Sequence, residues 1–137
     1  MSKKIGFDLD GVFIPDCDRI PNLGDVDKFY ELTMFMRPLF QPHGEWSIIT
    51  GRPARYKSRT VAWAEKYFAN KPDEIFHGAV LESPAEYKAA VIKSEGFQVY
   101  VESDLGIVNE LRKMVPPGVT IYHFDAYIAG NLMRDTR

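Results

Sequence analysis

An apolar strand that ends in two carboxylates constrains this chain more than any other feature of its sequence. Residues 5–12 read Ile-Gly-Phe-Asp-Leu-Asp-Gly-Val. Side chains alternate between the two faces of a strand, so Asp8 and Asp10 share a face if the strand persists, and Gly11 allows a sharp turn. Such a pair can bind a divalent cation, or can supply a nucleophile and a general acid. The alternative is an acidic turn without chemistry, because Asp and Gly are common turn residues.

The order of apolar and amphipathic segments predicts an α/β fold. Short apolar runs alternate with longer amphipathic ones, which is typical of a mainly parallel sheet flanked by helices. The predicted strands are 4–7, 46–50, 74–77, 98–101 and 119–124, and the predicted helices are 26–36, 54–68, 84–94 and 104–114.

Two helix starts carry recognisable capping residues. In Ser83-Pro84-Ala85-Glu86 the serine is the N-cap, proline is the first helical residue and glutamate completes a capping box. Gly96 lies just beyond the predicted end of that helix, where glycine is favoured. Asp25 is predicted to cap the first helix.

The length of the chain indicates one domain. Its 137 residues fall in the usual single-domain range and leave little material for a second core. We therefore expect a single domain over residues 1–137, with its core at about 4–124 and a tail, 125–137, that has no strong pattern.

Charge and apolar content argue against several classes of function. The formal net charge of -2 provides no broad basic field for nucleic acid or an anionic membrane, although it does not exclude a local patch. No apolar run approaches the roughly 20 residues that span a bilayer. Asp8 and Asp10 interrupt the apolar stretch that follows Met1-Ser2-Lys3-Lys4, so we expect no signal peptide and a cytoplasmic protein.

Cysteine and histidine chemistry is not indicated. Cys17 is the single cysteine, so it cannot form an internal disulfide, and it has no evident base nearby. His43, His77 and His123 are scattered without the spacing of zinc ligands.

Polar residues follow three of the predicted strands at the point where each strand ends. Asp8 and Asp10 follow the first strand, Thr50-Gly51-Arg52 ends the second, and Glu102-Ser103-Asp104 follows the fourth. Ligand sites of open parallel sheets form outside the carboxyl ends of the strands. The sequence therefore predicts one site at this edge of the sheet.

These motifs, in this order, resemble those of the haloacid dehalogenase-like superfamily. The resemblance rests on Asp8-Leu9-Asp10-Gly11-Val12, on Ile49-Thr50-Gly51-Arg52-Pro53 and on the later strand ending in acids, and it covers roughly residues 5–108. Most members of that superfamily are magnesium-dependent phosphatases. The resemblance implies a three-layer Rossmann-like α/β fold with a mainly parallel five-stranded sheet.

The resemblance also implies roles for these residues. Asp8 would attack phosphorus and carry an aspartyl-phosphate, while Asp10 would protonate the leaving alcohol and later deprotonate water. Mg²⁺ would bind the Asp8 carboxylate and the Asp10 backbone carbonyl. Thr50 and Gly51 would donate a hydroxyl and a backbone N–H to the phosphoryl oxygens. Arg52 could reach a substrate phosphate or carboxylate, although an arginine at a helix start is commonly a solvated surface charge.

The superfamily also uses a lysine that pairs with the nucleophile and the phosphate, and Lys88 fits this role best. Lys88 lies in the first turns after Ser83, whereas Lys93 is further along the same helix and Lys71 precedes the third predicted strand.

The fourth motif departs from the pattern of the superfamily. Many relatives have an acid that reaches the metal where this chain has Ser103, and either Glu102 or Asp104 could serve instead. We favour Glu102, because Asp104 is well placed to cap the helix that follows it.

The spacing of the motifs leaves little room for the cap domain that larger members insert. Residues 11–49 are filled by a loop, a helix and a strand, and residues 52–87 by a helix, a short strand and a turn. We expect an uncapped site that is open to bulky phosphorylated substrates. Asp16 and Asp18 would lie in a flap over that site, where they are expected to form a solvated acidic loop.

Two alternatives stay open beside a phosphatase. The first is a phospho-acceptor domain like bacterial receivers, but these need the acceptor aspartate at the end of the third strand, where this chain has Phe76-His77-Gly78. The second is a catalytically weak or inactive scaffold that binds a phosphorylated ligand or a partner, which is consistent with Ser103 in the metal motif. Neither the oligomeric state nor the substrate can be predicted from the sequence.

Overall fold

Five parallel strands form the centre of the described part of the chain, which comprises residues 3–15, 26–78 and 83–126 of a computed structural model. The strands are β1 (Ile5–Phe7), β2 (Trp46–Pro53), β3 (Ile75–Gly78), β4 (Val99–Glu102) and β5 (Thr120–His123). The α-helices in these residues are α1 (Val26–Thr33), α2 (Lys57–Tyr67), α3 (Pro84–Glu95) and α4 (Leu105–Met114). The strand order is β3-β2-β1-β4-β5, and every neighbouring pair is parallel. The predicted α/β fold with a five-stranded sheet is therefore confirmed, and the sheet is entirely parallel in these residues.

The sheet is buried on both faces. Ile48 and Ile49 are neighbours on β2 and both fully buried, but they belong to different hydrophobic clusters. Ile48 packs with Trp63 of α2, and Ile49 packs with Ile92 of α3. This double burial explains why the first five residues of β2 are all buried and show no alternation of exposure, as in parallel strands covered by helices.

The N-cap serine, the first-turn proline and the terminal glycine predicted for α3 are confirmed. The Ser83 side chain accepts a hydrogen bond from the backbone N–H of Glu86, and Pro84 is the first helical residue. Gly96 ends the helix in the left-handed conformation, with φ of 73°. These two residues fix both ends of α3, and with them the height at which Lys88 stands beside the sheet.

Three elements differ from their predicted bounds by more than one residue. The first helix ends at Thr33 and not at Met36, because residues 34–36 form tighter turns, such as Met36 N–H to Thr33 O at 3.1 Å, shortly before Pro38, which cannot continue a helix. Strand β2 continues past Thr50 to Pro53, which pairs with Gly78 of β3 after a shift in register. A 3₁₀ turn, 54–56, then precedes α2.

Several predictions fall on residues outside the described part of the chain. These are the Asp25 cap, the acidic loop at Asp16 and Asp18, Cys17, and the tail beyond Ala126. Within the described residues, no helix has the length and apolar character needed to cross a membrane.

Candidate active site

The carboxyl ends of β1, β2 and β4 form a cleft of about 220 Å³ at one edge of the sheet. It lies where the strand order reverses, between β1 and β4, and open parallel sheets bind ligands at that place. Residues from all three strand ends and from α3 line it: Asp8, Asp10, Gly51, Arg52, Lys88, Glu102 and Asp104. Thr50 adjoins Gly51 and is 1% exposed. The structure thus brings the predicted site residues together around one cleft.

A buried lysine joins two buried carboxylates at the base of the cleft. Lys88 Nζ lies 3.3 Å from Asp8 Oδ1 and 2.6 Å from Glu102 Oε1. Asp8, Lys88 and Glu102 are exposed by 5%, 3% and 1%. Buried charges need partners of this kind, because each ion loses its hydration. Lys88 reaches them from α3, as predicted from its position after the Ser83 cap.

Burial and pairing divide the charge unequally between the two carboxylates. Burial and the charge on Glu102 raise the pKa of Asp8 well above its usual value, and the charge of Lys88 opposes this only in part. Burial also acts against ionisation of Glu102, but the charge of Lys88 and the hydrogen bonds that Glu102 receives hold its pKa below the usual value. Burial lowers the pKa of Lys88, yet the two carboxylates outweigh it and raise that pKa. Without a further cation, Lys88 and Glu102 are therefore the stable ion pair and Asp8 is the carboxylate that most needs another positive charge.

The Ser103 hydroxyl lies between the two groups that were predicted to bind Mg²⁺. Its Oγ is 3.1 Å from Asp8 Oδ2 and 2.9 Å from the backbone carbonyl oxygen of Asp10. No group of three or more His, Cys, Asp or Glu side chains in the described ranges is arranged to hold a metal ion. Mg²⁺, however, commonly takes one or two carboxylates and completes its octahedron with water and substrate phosphate. Asp8, the Asp10 carbonyl and Ser103 fit an ion held in that mixed way.

The two acids beside Ser103 are engaged in other contacts. Glu102 Oε2 accepts hydrogen bonds from the backbone N–H groups of Ser103 and Asp104, at 2.9 and 3.1 Å. Asp104 Oδ1 accepts the backbone N–H of Ile107 at 3.0 Å, which makes it the N-cap of α4. Glu102 and Asp104 therefore lie at the cleft with their carboxylates already bound by the fold.

Replacement of Asp104 separates its capping role from a role in metal binding. Asp104→Ala should lower the free energy of unfolding by about 1 kcal/mol, because it removes the N-cap, whereas Asp104→Ser keeps a capping oxygen and should be close to wild type. Urea unfolding measures this. If Asp104 serves only as a cap, both variants keep the wild-type dependence of activity on Mg²⁺, and a dependence weakened equally in both would instead place Asp104 at the metal.

Asp10 is paired with an arginine that the structure buries. Arg52 Nε lies 2.9 Å from Asp10 Oδ2 and Nη2 lies 2.5 Å from Asp10 Oδ1. Arg52 is 1% exposed. The expectation of a solvated arginine at a helix start is wrong, because β2 extends through Arg52 and carries this side chain inward.

Thr50 and Gly51 lie within the second half of β2, and Gly51 lines the cleft. Thr50 Oγ1 accepts a hydrogen bond from the backbone N–H of Arg52 at 3.1 Å, so its own proton is not used in that bond. Gly51 is exposed at the cleft, and a Cβ at this position would come no closer than 3.9 Å to Pro84. Space alone therefore does not require glycine here, although a residue without a side chain lets a ligand come close to the backbone.

Four residues that sequence reasoning did not assign complete the site. Tyr100 lies beneath it, with its hydroxyl 3.1 Å from Glu102 Oε1, and burial followed by the two carboxylates raises its pKa, so it remains a donor. Tyr100 stands two residues before Glu102 and hence on the same strand face, which is a signal that the sequence contains. Tyr30 and Thr33 contact the site through tertiary geometry, which local pattern does not reveal, whereas Ser103 stands at the metal position of the fourth motif and only its contacts were not predicted.

Comparison with known proteins provides no relative from which a function could be transferred. No family model matches this sequence, no curated protein matches it, and no solved structure matches its fold. The function of this chain is therefore inferred from the residues and distances of the cleft.

Proposed function

We propose that this protein is a Mg²⁺-dependent phosphatase of phosphomonoesters, built like members of the haloacid dehalogenase-like superfamily without a cap domain. The observation that supports the proposal is the convergence of Asp8, Asp10, Lys88 and Gly51 on one cleft, with the buried Thr50 next to Gly51 in the chain. Two aspartates alone would fit a simple metal site. A lysine and neutral donors beside them would provide what a phosphoryl group needs in addition.

The chemistry follows from the two aspartates in turn. An Asp8 carboxylate oxygen attacks phosphorus, the bond from phosphorus to the alcohol oxygen breaks, and Asp10 gives its proton to that oxygen. Water then attacks the phosphorus of the aspartyl-phosphate, Asp10 takes a proton from the water, and the bond from Asp8 to phosphorus breaks. The products are the alcohol and inorganic phosphate, and both aspartates return to their starting state.

The charges of the cleft support a requirement for a divalent cation. Four carboxylates line it, Asp8, Asp10, Glu102 and Asp104, against two cationic side chains, Arg52 and Lys88. A phosphate dianion cannot approach this surplus of negative charge without compensation. Mg²⁺ held by Asp8, the Asp10 carbonyl and Ser103 would supply it, and would polarise the phosphoryl oxygens.

Lys88, Thr50 and Gly51 would bind the phosphoryl oxygens. Lys88 is a buried cation beside Asp8, where the transferred group must lie. The Thr50 hydroxyl and the Gly51 N–H add neutral donors at the end of the neighbouring strand. Such donors stabilise the charge that spreads over the phosphoryl oxygens in the transition state.

We expect the substrates to be phosphomonoesters, including those of bulky alcohols. The described residues contain no second layer over the cleft. The net charge of -2 gives no support to a nucleic-acid substrate.

Hydrolysis of 4-nitrophenyl phosphate with Mg²⁺, and again with excess EDTA, tests the proposal. We expect turnover that falls by at least about 10²-fold when the metal is removed, since the ion contributes several kcal/mol to the transition state. Turnover that is unchanged in EDTA would contradict the metal requirement.

A scaffold that binds a phosphorylated ligand and turns it over slowly or not at all is the second candidate. The observation that favours it is Ser103, a weak ligand that stands beside Asp8 and the Asp10 carbonyl where the superfamily has a metal-binding acid. Ser103→Asp should lower the Mg²⁺ concentration for half-maximal activity by about tenfold, and Ser103→Ala should raise it, because affinity follows the charge of the ligand set. Binding of inorganic phosphate by calorimetry, without turnover of a broad phosphate panel by either wild type or Ser103→Asp, would favour the scaffold.

A further inference from the structure

The Arg52 guanidinium has partners on two elements besides its own strand. Its Nη2 lies 3.1 Å from Thr33 Oγ1 of α1, and its central carbon lies 4.2 Å from the centre of the Tyr30 ring. The Thr33 hydroxyl is 3.0 Å from the carbonyl oxygen of Tyr30, to which it donates, so it accepts from Arg52. Together with the two bonds to Asp10, these contacts hold the guanidinium plane between α1 and the turn after β1.

Arg52 is therefore poorly placed to act as a ligand for the substrate phosphate. It is 1% exposed, and its Nε and Nη2 donors both point to Asp10. Asp10 is the more open partner, since its side chain is 16% exposed and lines the cleft. Each carboxylate oxygen has two lone-pair sites, so Asp10 can hold the guanidinium and still exchange a proton with a group in the cleft.

We infer that Arg52 is a positioning residue that acts through Asp10 and sets the rate at which poor leaving groups depart. This inference rests on the proposed phosphatase function. A bidentate guanidinium fixes both oxygens of a carboxylate, which lysine, a point charge, does not do. The stacked Tyr30 and the accepting Thr33 fix the guanidinium in turn, so α1 supports the acid–base group without touching the substrate.

The leaving group distinguishes this role from direct phosphate binding. Nitrophenolate leaves without a proton, whereas an alkoxide requires one from Asp10. A residue that orients Asp10 therefore matters for an alkyl phosphate and little for an aryl phosphate. A residue that binds the phosphate matters equally for both, because the phosphoryl group is the same.

The experiment measures kcat/KM for 4-nitrophenyl phosphate and for glycerol 1-phosphate in wild type, Arg52→Met, Asp10→Ala and the double variant. We expect Arg52→Met to lower kcat/KM about 10²-fold for glycerol phosphate and less than about tenfold for the aryl substrate. In the Asp10→Ala background, Arg52→Met should have no further effect on either substrate. Equal losses for both substrates, or a full additional loss in the Asp10→Ala background, would overturn the inference.

Arg52→Lys and Arg59→Met are the matched variants. Arg52→Lys keeps the positive charge but lacks the two N–H donors that bind both oxygens of Asp10. Its activity on glycerol phosphate should therefore lie between those of Arg52→Met and wild type. Arg59 forms an exposed pair with Glu31 of α1 at 3.4 Å, and Arg59→Met should behave as wild type on both substrates.

Urea unfolding of the same four proteins tests the contact between Arg52 and Asp10 without any need for turnover. If Arg52 and Asp10 hold each other, the shift in midpoint of the double variant should be clearly smaller than the two single shifts added together. Additive shifts would show that Arg52 does not hold Asp10 in place, even if the protein is a phosphatase. Non-additive shifts in a protein that hydrolyses neither substrate would support the contact between Arg52 and Asp10 and reject the proposed function. Failure of the inference and failure of the proposed function are therefore distinguishable.

Discussion

Asp8→Asn is expected to lower kcat/KM by at least about 10⁴-fold on every phosphomonoester, because the amide cannot form the aspartyl-phosphate. The substitution keeps the size of the side chain, and its effect should therefore lie in kcat and not in the fold. Steady-state assays at saturating Mg²⁺ measure it. Asp73→Asn, at an exposed aspartate near the amino end of β3, is the matched control and should retain wild-type activity.

Asp8→Asn is expected to lower activity but not stability. Asp8 is a buried carboxyl whose ionisation is opposed by burial and by Glu102. Asparagine is uncharged, so the variant has no unfavourable ionisation at this position, while Lys88 keeps Glu102 as a partner at 2.6 Å. In EDTA the variant should unfold at a temperature equal to or above that of wild type. Turnover that survives in Asp8→Asn, or a strong loss of stability, would contradict the role assigned to Asp8.

Lys88→Met is expected to affect both activity and stability. Asp8 and Glu102 would remain buried without the cation that they share, and breaking a buried ion pair from one side costs about 3–5 kcal/mol. Loss of a cation at the phosphoryl group should also lower kcat/KM by about 10²–10³-fold. Lys93→Met, at an exposed lysine in the last turn of the same helix, should change neither.

The pH dependence of stability separates this ion pair from simple packing. In wild type the pKa of Glu102 is lower in the folded state than in the unfolded chain, so its contribution is present above the usual value of 4.5 and is lost as pH falls. In Lys88→Met that depression disappears, and the buried carboxyls take up protons more readily in the folded state. The difference in stability between the two proteins should therefore be largest near neutral pH and shrink toward pH 4. A difference that does not vary with pH would show that Lys88 acts through packing alone.

Features that depend on neighbouring residues were predictable from the sequence. The Ser83 cap, the first-turn proline and Gly96 define α3 within the chain itself, and they place Lys88 at the correct height. The apolar runs define the strands, and the geometry of parallel sheets then brings the ends of β1, β2 and β4 to one edge. For these reasons the polar residues at the three strand ends could be named from the sequence, and the resemblance to the superfamily added Lys88.

Features that depend on contacts between distant residues were not predictable. Arg52 is buried because β2 pairs with β3 beyond a register shift, at Pro53 and Gly78, and the pattern of β2 contains no sign of that pairing. Its partner Asp10 lies 42 residues away. The Ser103 hydroxyl was assigned no contact, although it lies 2.9 Å from the Asp10 carbonyl oxygen. Both features follow from how the loops after the strands pack, and loop packing is set by the whole fold.

Chemical trapping of the phosphorylated residue tests the central claim most directly. The protein is quenched in acid during turnover of 4-nitrophenyl phosphate, treated with borohydride, which reduces an aspartyl-phosphate to homoserine, and digested with trypsin. The peptide 5–19, which follows Lys4, contains four aspartates, at positions 8, 10, 16 and 18, and fragmentation in the mass spectrometer distinguishes them. We predict homoserine at position 8 and at none of the other three. Homoserine at another aspartate, or none in a protein that is turning over substrate, would contradict the assignment of Asp8 as the nucleophile.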